Sequence, residues 1–262
     1  MLERRALKYE EEKRSDFVSG FAKGLSVIEA FGDDARRMSI TDVAQKTGLD
    51  RASARRLLLT LVTLGYATHD GKFFALTHRI LRLGQSYLSA TTLTTVLQPY
   101  LDELSETSGQ SCSASVLDET EIVYIARASQ RRVMSINLNP GSRLPAYCSS
   151  MGRVLLAALP DEQVRQLLGN VPLEPHTELT ITDMDELIEE LGRIRAQGYA
   201  LVDQELEMGL CSIAVPLLNK RGQTVAAINI GAPAASVPAS QLVEQILPML
   251  KRVAERARLD LV

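Results

Sequence analysis

The chain is poor in the residues that most chemistry needs. It has three cysteines, Cys112, Cys148 and Cys211, widely spaced and without a CxxC pair. That argues against a disulfide framework and a thiolate zinc site, and it suits a reducing cytoplasm. Its three histidines are His69, His78 and His176, none beside an obvious nucleophile. No GxSxG, HExxH or glycine-rich phosphate loop occurs. The expectation is a protein with no catalytic residues, no metal ligands and no cofactor. No apolar run approaches the roughly 18 residues of a transmembrane helix. The opening "MLERRALKYEEEKRSDF" is charged throughout and lacks an apolar stretch, so no secretory signal is expected. Cytoplasmic residence, with no membrane partner, follows as the expectation.

Hydrophobic residues make up 45% of the chain, ample for packed cores, and 262 residues suit two domains better than one. The net charge of −3 speaks against a nucleic-acid binder, but the charge is unevenly spread. Residues 1–80 carry 14 Lys+Arg against 11 Asp+Glu, a net of +3; residues 81–262 carry 15 against 21, a net of −6. Between positions 35 and 60 six basic residues (Arg36, Arg37, Lys46, Arg51, Arg55, Arg56) face two acidic ones, Asp42 and Asp50. A local basic patch on an acidic protein is the footprint of a DNA-binding module joined to a domain that does not bind DNA.

The pattern around that patch is helical. "SGFAKGLSVIEAFG" places Phe21, Leu25, Ile28 and Phe31 near helical spacing and stops at Gly32. "SITDVAQKTG" starts at a capping candidate, Ser39 or Thr41, and ends at Gly48. Asp50 then caps a third helix, "RASARRLLLTLVTLG". At about 100° per residue its Ala54, Leu57, Leu58 and Leu61 share one stripe, and Ala52, Arg56, Leu59 and Thr63 lie opposite. Two helices joined by a tight glycine turn make a helix-turn-helix. "YATHDGKFFALT" follows, two short strands around His69, Asp70 and Gly71, where Asp-Gly signals a hairpin. The hairpin supplies the wing.

A helix over "THRILRLGQSYLSA" and a longer one over "TTLTTVLQPYLDELSETSG" come next, and Gly109 changes the texture. Strands "QSCSASVLD" and "EIVYIARAS", a stretch ending in "NPGSRLPAY", three helices from "SSMGRVLLAALP" to "DMDELIEELGRIRAQG", three further strands and a closing amphipathic helix complete the chain. That order predicts an α+β domain built on an antiparallel sheet.

At these residues the chain resembles a known family. "GLSVIEAF" followed by "MSITDVAQKTGLDRASARRLLLTLVTLGYA" is similar to the N-terminal domain of IclR-type transcriptional regulators. "LPAYCSSMGRVLLAAL", "RAQGYALVDQELEMGLCSIAVPL" and "VAAINIGAP" resemble the signature segments of that family's effector domain, in the same order. The resemblance spans residues 17–260, and within the family it is nearest to regulators of protocatechuate, 4-hydroxybenzoate and β-ketoadipate catabolism. It implies a winged helix-turn-helix over 17–80, a helical linker over 81–109 and a GAF-like effector-binding domain over 110–262. It also implies a homodimer, or a dimer of dimers, on palindromic double-stranded DNA, acting as activator or repressor under control of a small organic acid.

A recognition helix enters the major groove by its N-terminal end, which singles out Arg51, Ala52, Ser53, Arg55 and Arg56. Arginine can bind guanine bidentately and Ala52 can meet a thymine methyl; Arg56, farthest from the apolar stripe, is the expected base reader. Ser39 and Thr41 can hold phosphate with the amides of their helix, and Lys72, with His69, sits in the wing. The pocket segments implied by the resemblance map onto Ser149, Ser150 and Met151, then Asp203 to Ser212, with Asp203, Glu205, Cys211 and Ser212 singled out, then Asn229 to Gly231, with Asn229 and Gly231 singled out; Met134 and Leu144 are walls. Arg127 and Arg143 are the two candidate carboxylate partners. Ser150 and Met151, Cys211 and Ser212, and Asn229 and Gly231 depart from the residues common in the family, which weakens a carry-over from members binding small 2-oxo acids. The rival reading is a GAF-like redox or small-molecule enzyme using the three cysteines, with a winged helix that binds protein.

Overall fold

In a computed structural model, residues 17–32, 35–84, 92–129 and 138–261 are described. The chain divides into two compact units, one up to Ala90 and one from Thr91.

The first unit holds α1 (Ser19–Glu29), α2 (Ile40–Thr47), α3 (Arg51–Thr63) and a hairpin of β1 (Ala67–His69) and β2 (Phe74–Leu76). Each helix boundary has a local cause. Ser39 and Asp42 form a reciprocal capping box at the start of α2, which ends at Gly48 with φ +69°, a left-handed conformation that favours glycine. Asp50 then accepts from the Ser53 amide at 2.8 Å and opens α3. Val27 and Ala30 of α1, Val43 and Ala44 of α2, Ala54, Leu58 and Leu61 of α3 and Phe74 of β2 close one small core. Leu57 is only half-buried, and Leu59, which the helical stripe leaves facing outward, packs partly against the same core. The hairpin turn is longer than a two-residue Asp-Gly turn: His69 pairs with Phe74, and Asp70 accepts from the Lys72 and Phe73 amides. Met38 bonds Phe74 through both backbone groups and adds a third short rung.

The second unit is a sheet between two helical layers. Helix α4 (Thr92–Ser108) leads into β3 (Ser111–Asp118), β4 (Glu121–Ala128) and β5 (Arg143–Pro145). Helices α5 (Ser150–Ala157), α6 (Asp161–Leu168) and α7 (Met184–Gln197) follow. Strands β6 (Ala200–Asp203), β7 (Leu210–Leu218) and β8 (Thr224–Pro233) precede the last helix. The described strands run β5-β4-β3-β8-β7-β6, every neighbour antiparallel. Ala239–Gln241, Leu242–Ile246 and Leu247–Arg258 run on as α8, with a π-turn directly before Pro248. The wider turn accommodates a residue that has no amide hydrogen and whose ring crowds the preceding turn.

Strand periodicity sorts the side chains. Cys112, Ala114, Cys211, Ile213, Ile228 and Ile230 face α4 and α8, whose Leu97, Leu101, Leu104, Leu242, Leu250 and Val253 cover them. The opposite face, with Ile122, Tyr124, Ala214 and Ala227, meets α5 and α7 through Met151, Leu155, Leu187 and Leu191. Helix α5 lies so close that a Cβ on Gly152 would sit 2.2 Å from the Ala146 carbonyl oxygen. Only glycine permits that approach.

Candidate functional site

The start of α3 presents the expected cluster. Arg51, Ala52, Arg55 and Arg56 are exposed and Ser53 is half-buried. Arg56 donates to Ser53 Oγ at 3.4 Å, and none of the three arginines forms an ion pair among the described residues. Their charge is therefore uncompensated, while buried Ala54, Leu58 and Leu61 fix the helix behind them. Thr41 is exposed at the start of α2, where Ser39 Oγ already accepts the cap bond from Asp42. In the wing, Lys72 Nζ lies 5.0 Å from the Phe73 ring centroid, Arg37 pairs with Asp70, and His69 stacks on Phe74 at 4.2 Å.

In the second unit a cavity opens between the sheet and the N-terminus of α5. Its empty space amounts to about 460 Å³ with the open solvent at its mouth included. Leu144, Ser149, Ser150, Met151, Ser212, Asn229 and Gly231 line it, as the sequence led us to expect, and so does Arg127. Ser111, Ser113, Ile122, Tyr124, Leu138, Leu206 and Leu210 complete the wall; Leu206 and Leu210 fall inside the expected segment from Asp203 to Ser212, and the sequence reading missed the other five.

Two features of β3 and β4 build the polar side. Ser111, Ser113 and Ser115 alternate with Cys112 and Ala114, so the serines share the cavity face although all are buried. On β4 the pairing runs Ser115 to Tyr124 but Ala114 to Ala126, leaving Ile125 as an extra residue. That bulge reverses the alternation and brings Arg127 onto the face that Ile122 and Tyr124 occupy. Arg127 NH1 then donates to Ser113 Oγ at 3.0 Å. No carboxylate pairs with Arg127 among the described residues. Burial of its guanidinium lowers its pKa from the ordinary arginine value, and burial pushes the Tyr124 phenol up to about 12. A half-buried cation without a counter-ion among the described residues makes this a candidate anion site.

Four expected pocket residues lie elsewhere, each for a stated reason. Arg143 is exposed and held at the surface by Asp118 and Glu121, both at 2.7 Å. Asp203 is exposed at the end of β6. Cys211 has the wrong parity on β7 and packs toward α4 and α8. Glu205 is buried and grips Arg153 of α5 through both oxygens, one at 2.6 Å. Arg153, only 1% exposed, also donates to the Tyr147 carbonyl at 2.8 Å. Met134 falls outside the described residues.

The hydroxyls divide their work. Ser149 occupies the N-cap of α5 but donates to the Pro145 carbonyl instead of capping, and Ser115 donates to Met151 Sδ at 3.2 Å. Ser150 Oγ is buried with no hydrogen-bond partner among the described residues.

Comparison with known proteins settles the class. Residues 85–258 match the family described as bacterial transcriptional regulator IclR C-terminal, and residues 21–71 match the IclR helix-turn-helix domain. The chain belongs to the IclR family. It is a transcriptional regulator, not an enzyme. It is 44% identical to the Pca regulon regulatory protein of Pseudomonas putida, over 90% of this chain and 81% of that one. It is 41% identical to the p-hydroxybenzoate hydroxylase transcriptional activator of Acinetobacter baylyi, over 95% and 94%. A solved inducer-binding domain of the Acinetobacter PobR transcription factor, a double mutant in complex with 3-hydroxybenzoic acid, superposes with a TM-score of 0.60 at 36% identity, covering 63% of this chain and 97% of that one. The redox alternative also fails on this chain's own chemistry. All three cysteines are buried, and burial pushes each thiol up to about 12, so none is a thiolate near neutral pH. No described helix is long and apolar enough to cross a membrane.

Proposed function

We propose that this IclR-family regulator controls genes of aromatic-acid catabolism and that a small organic acid of that chemistry, such as protocatechuate, 4-hydroxybenzoate or β-ketoadipate, is its effector. The observation that carries the reading is Arg127, a half-buried guanidinium facing a cavity without a carboxylate partner among the described residues. Two anion-binding features compete there. The amides at the start of α5, without intrahelical acceptors, offer about 0.3–1 kcal/mol through the helix dipole. Hydrogen bonds to a charged group are worth about 1.5–3 kcal/mol. The carboxylate therefore goes to Arg127, seated on Ser113, and the walls of Ile122, Leu138, Leu144 and Met151 take an aromatic ring. The known complex of a relative with 3-hydroxybenzoic acid supports that ligand class.

On DNA, Arg51, Ala52, Ser53, Arg55 and Arg56 read the major groove, Ser39 and Thr41 hold phosphate, and Lys72 contacts the backbone from the wing. The working division is residues 17–80 for DNA, 81–109 as connector and 110–262 for the effector, in a cytoplasmic protein. Val18, Phe21 and Leu25 leave an exposed apolar stripe on and just before α1, at a spacing of three and four residues. A second copy covering that stripe gives the homodimer that a palindromic operator requires.

A thermal-shift panel of hydroxybenzoates, β-ketoadipate and small 2-oxo acids tests the effector. The aromatic acids raise the melting temperature of the full chain and the 2-oxo acids leave it unchanged; a panel with no stabilising acid sinks the proposal. Arg56→Ala is expected to weaken the specific operator by about 1–3 kcal/mol and to flatten discrimination at one base pair. Equal weakening on random DNA, with a shallower salt dependence, makes Arg56 a phosphate contact instead.

A further inference from the structure

The cavity contains a fully buried hydroxyl that no described residue satisfies. Ser150 is 1% exposed, lines the cavity and leaves its hydroxyl without a hydrogen-bond partner among the described residues. Three neighbouring serines are committed: Ser149 Oγ bonds Pro145, Ser115 Oγ bonds Met151, and Ser113 Oγ accepts from Arg127. Ser150 also begins α5, where the first amides have no intrahelical acceptor. A buried hydroxyl beside orphan amides awaits a group that can both donate and accept, which describes a ligand hydroxyl.

The two groups belong to different parts of the lining. Arg127 is anchored on Ser113 of β3, and Ser150 stands at the start of α5, whose next residue, Met151, is anchored on Ser115. Those two serines are two strand residues apart, about 6.6 Å along β3.

We propose that Ser150 is the specificity-determining residue that reads a ring hydroxyl, so that the effector is a hydroxylated aromatic monocarboxylate and unsubstituted benzoate is rejected. The inference rests on the placement of the carboxylate at Arg127. It assigns the two ends of the ligand: charge to the β3–β4 side, hydroxyl to the helix start. A site built to bond a hydroxyl discriminates against the analogue lacking it because its own polar group is then left buried and unpaired.

The test is calorimetric titration of the full chain and of Ser150→Ala with 4-hydroxybenzoate, 3-hydroxybenzoate and benzoate. In the wild type at least one hydroxy acid outbinds benzoate by about tenfold or more. In Ser150→Ala that ratio collapses to within about threefold because the hydroxy acid loses affinity, while benzoate binds as before. Without ligand the variant melts no lower than the wild type, since removing an unsatisfied buried hydroxyl costs no hydrogen bond. An unchanged ratio overturns the assignment, as does an equal loss for all three acids or a markedly lower melting temperature. If the wild type binds hydroxybenzoates and benzoate alike, the assignment of Ser150 falls and the acid effector stands. If it binds none of them, the assignment of Ser150 falls, and the effector reading stands or falls with the wider acid panel.

Discussion

Glu205→Ala lowers the stability of the effector unit by about 3–5 kcal/mol, the cost of breaking a buried ion pair and leaving one charge behind. For a unit of this size that is a fall in melting temperature on the order of 10 °C. The charge left behind is the Arg153 guanidinium, at 1% exposure with, among the described residues, only the Tyr147 carbonyl still accepting from it. The effect also spreads along the chain. Glu205 Oε2 accepts from the Ile181 amide, and the carbonyl of Glu205 accepts from Thr180 Oγ1 at 2.6 Å. Gln204 and Glu205 thus join α5 to the segment 177–181 and hold Leu206 over the cavity. Replacing both partners, Arg153→Met with Glu205→Leu, recovers most of the loss because no unpaired charge remains. Thermal melts of the two single variants and the double variant check this. A single variant costing less than about 1 kcal/mol contradicts the burial argument.

Arg127→Met weakens binding of the aromatic acid by roughly 10- to 100-fold, the equivalent of about 1.5–3 kcal/mol for hydrogen bonds to a charged group. The variant keeps an unbranched stem out to the position of Nε and removes a desolvated charge, so the fold is expected to lose little. Arg143→Met, at the surface between Asp118 and Glu121, leaves acid affinity unchanged. The pair of variants separates the two arginines that the sequence left as equals. Titration of each with 4-hydroxybenzoate reads the difference directly.

The DNA-binding half was the more legible in sequence because its signals are local. Ser39, Gly48 and Asp50 mark helix ends within a few residues of each other, and the apolar period of α3 picks out Ala54, Leu58 and Leu61. Leu59 escaped because contact with a neighbouring element overrides a single-helix projection. The strands, the helices and an antiparallel sheet with helices around it followed from alternation and turn residues, but the strand order and the cavity did not. Its serines were visible as the alternation in "SCSAS", three polar residues on one face of a strand that is otherwise apolar. A buried polar face of that kind needs partners or a ligand. The position of Arg127 was hidden by the bulge at Ile125, which shifts parity by one residue and leaves no mark in composition. Glu205 was misjudged because its partner, Arg153, lies 52 residues away in sequence. Long-range pairing of that kind has no local pattern.

The central claim is that the Arg127 guanidinium in the cavity reads a carboxylate. It is tested most directly by titrating the wild-type chain and Arg127→Met with 4-hydroxybenzoate and with its neutral isostere 4-hydroxybenzamide. The wild type should prefer the acid by about tenfold or more, and Arg127→Met should bind the two alike. A wild type that takes acid and amide equally, or an Arg127→Met chain that keeps the preference for the acid, would contradict the account.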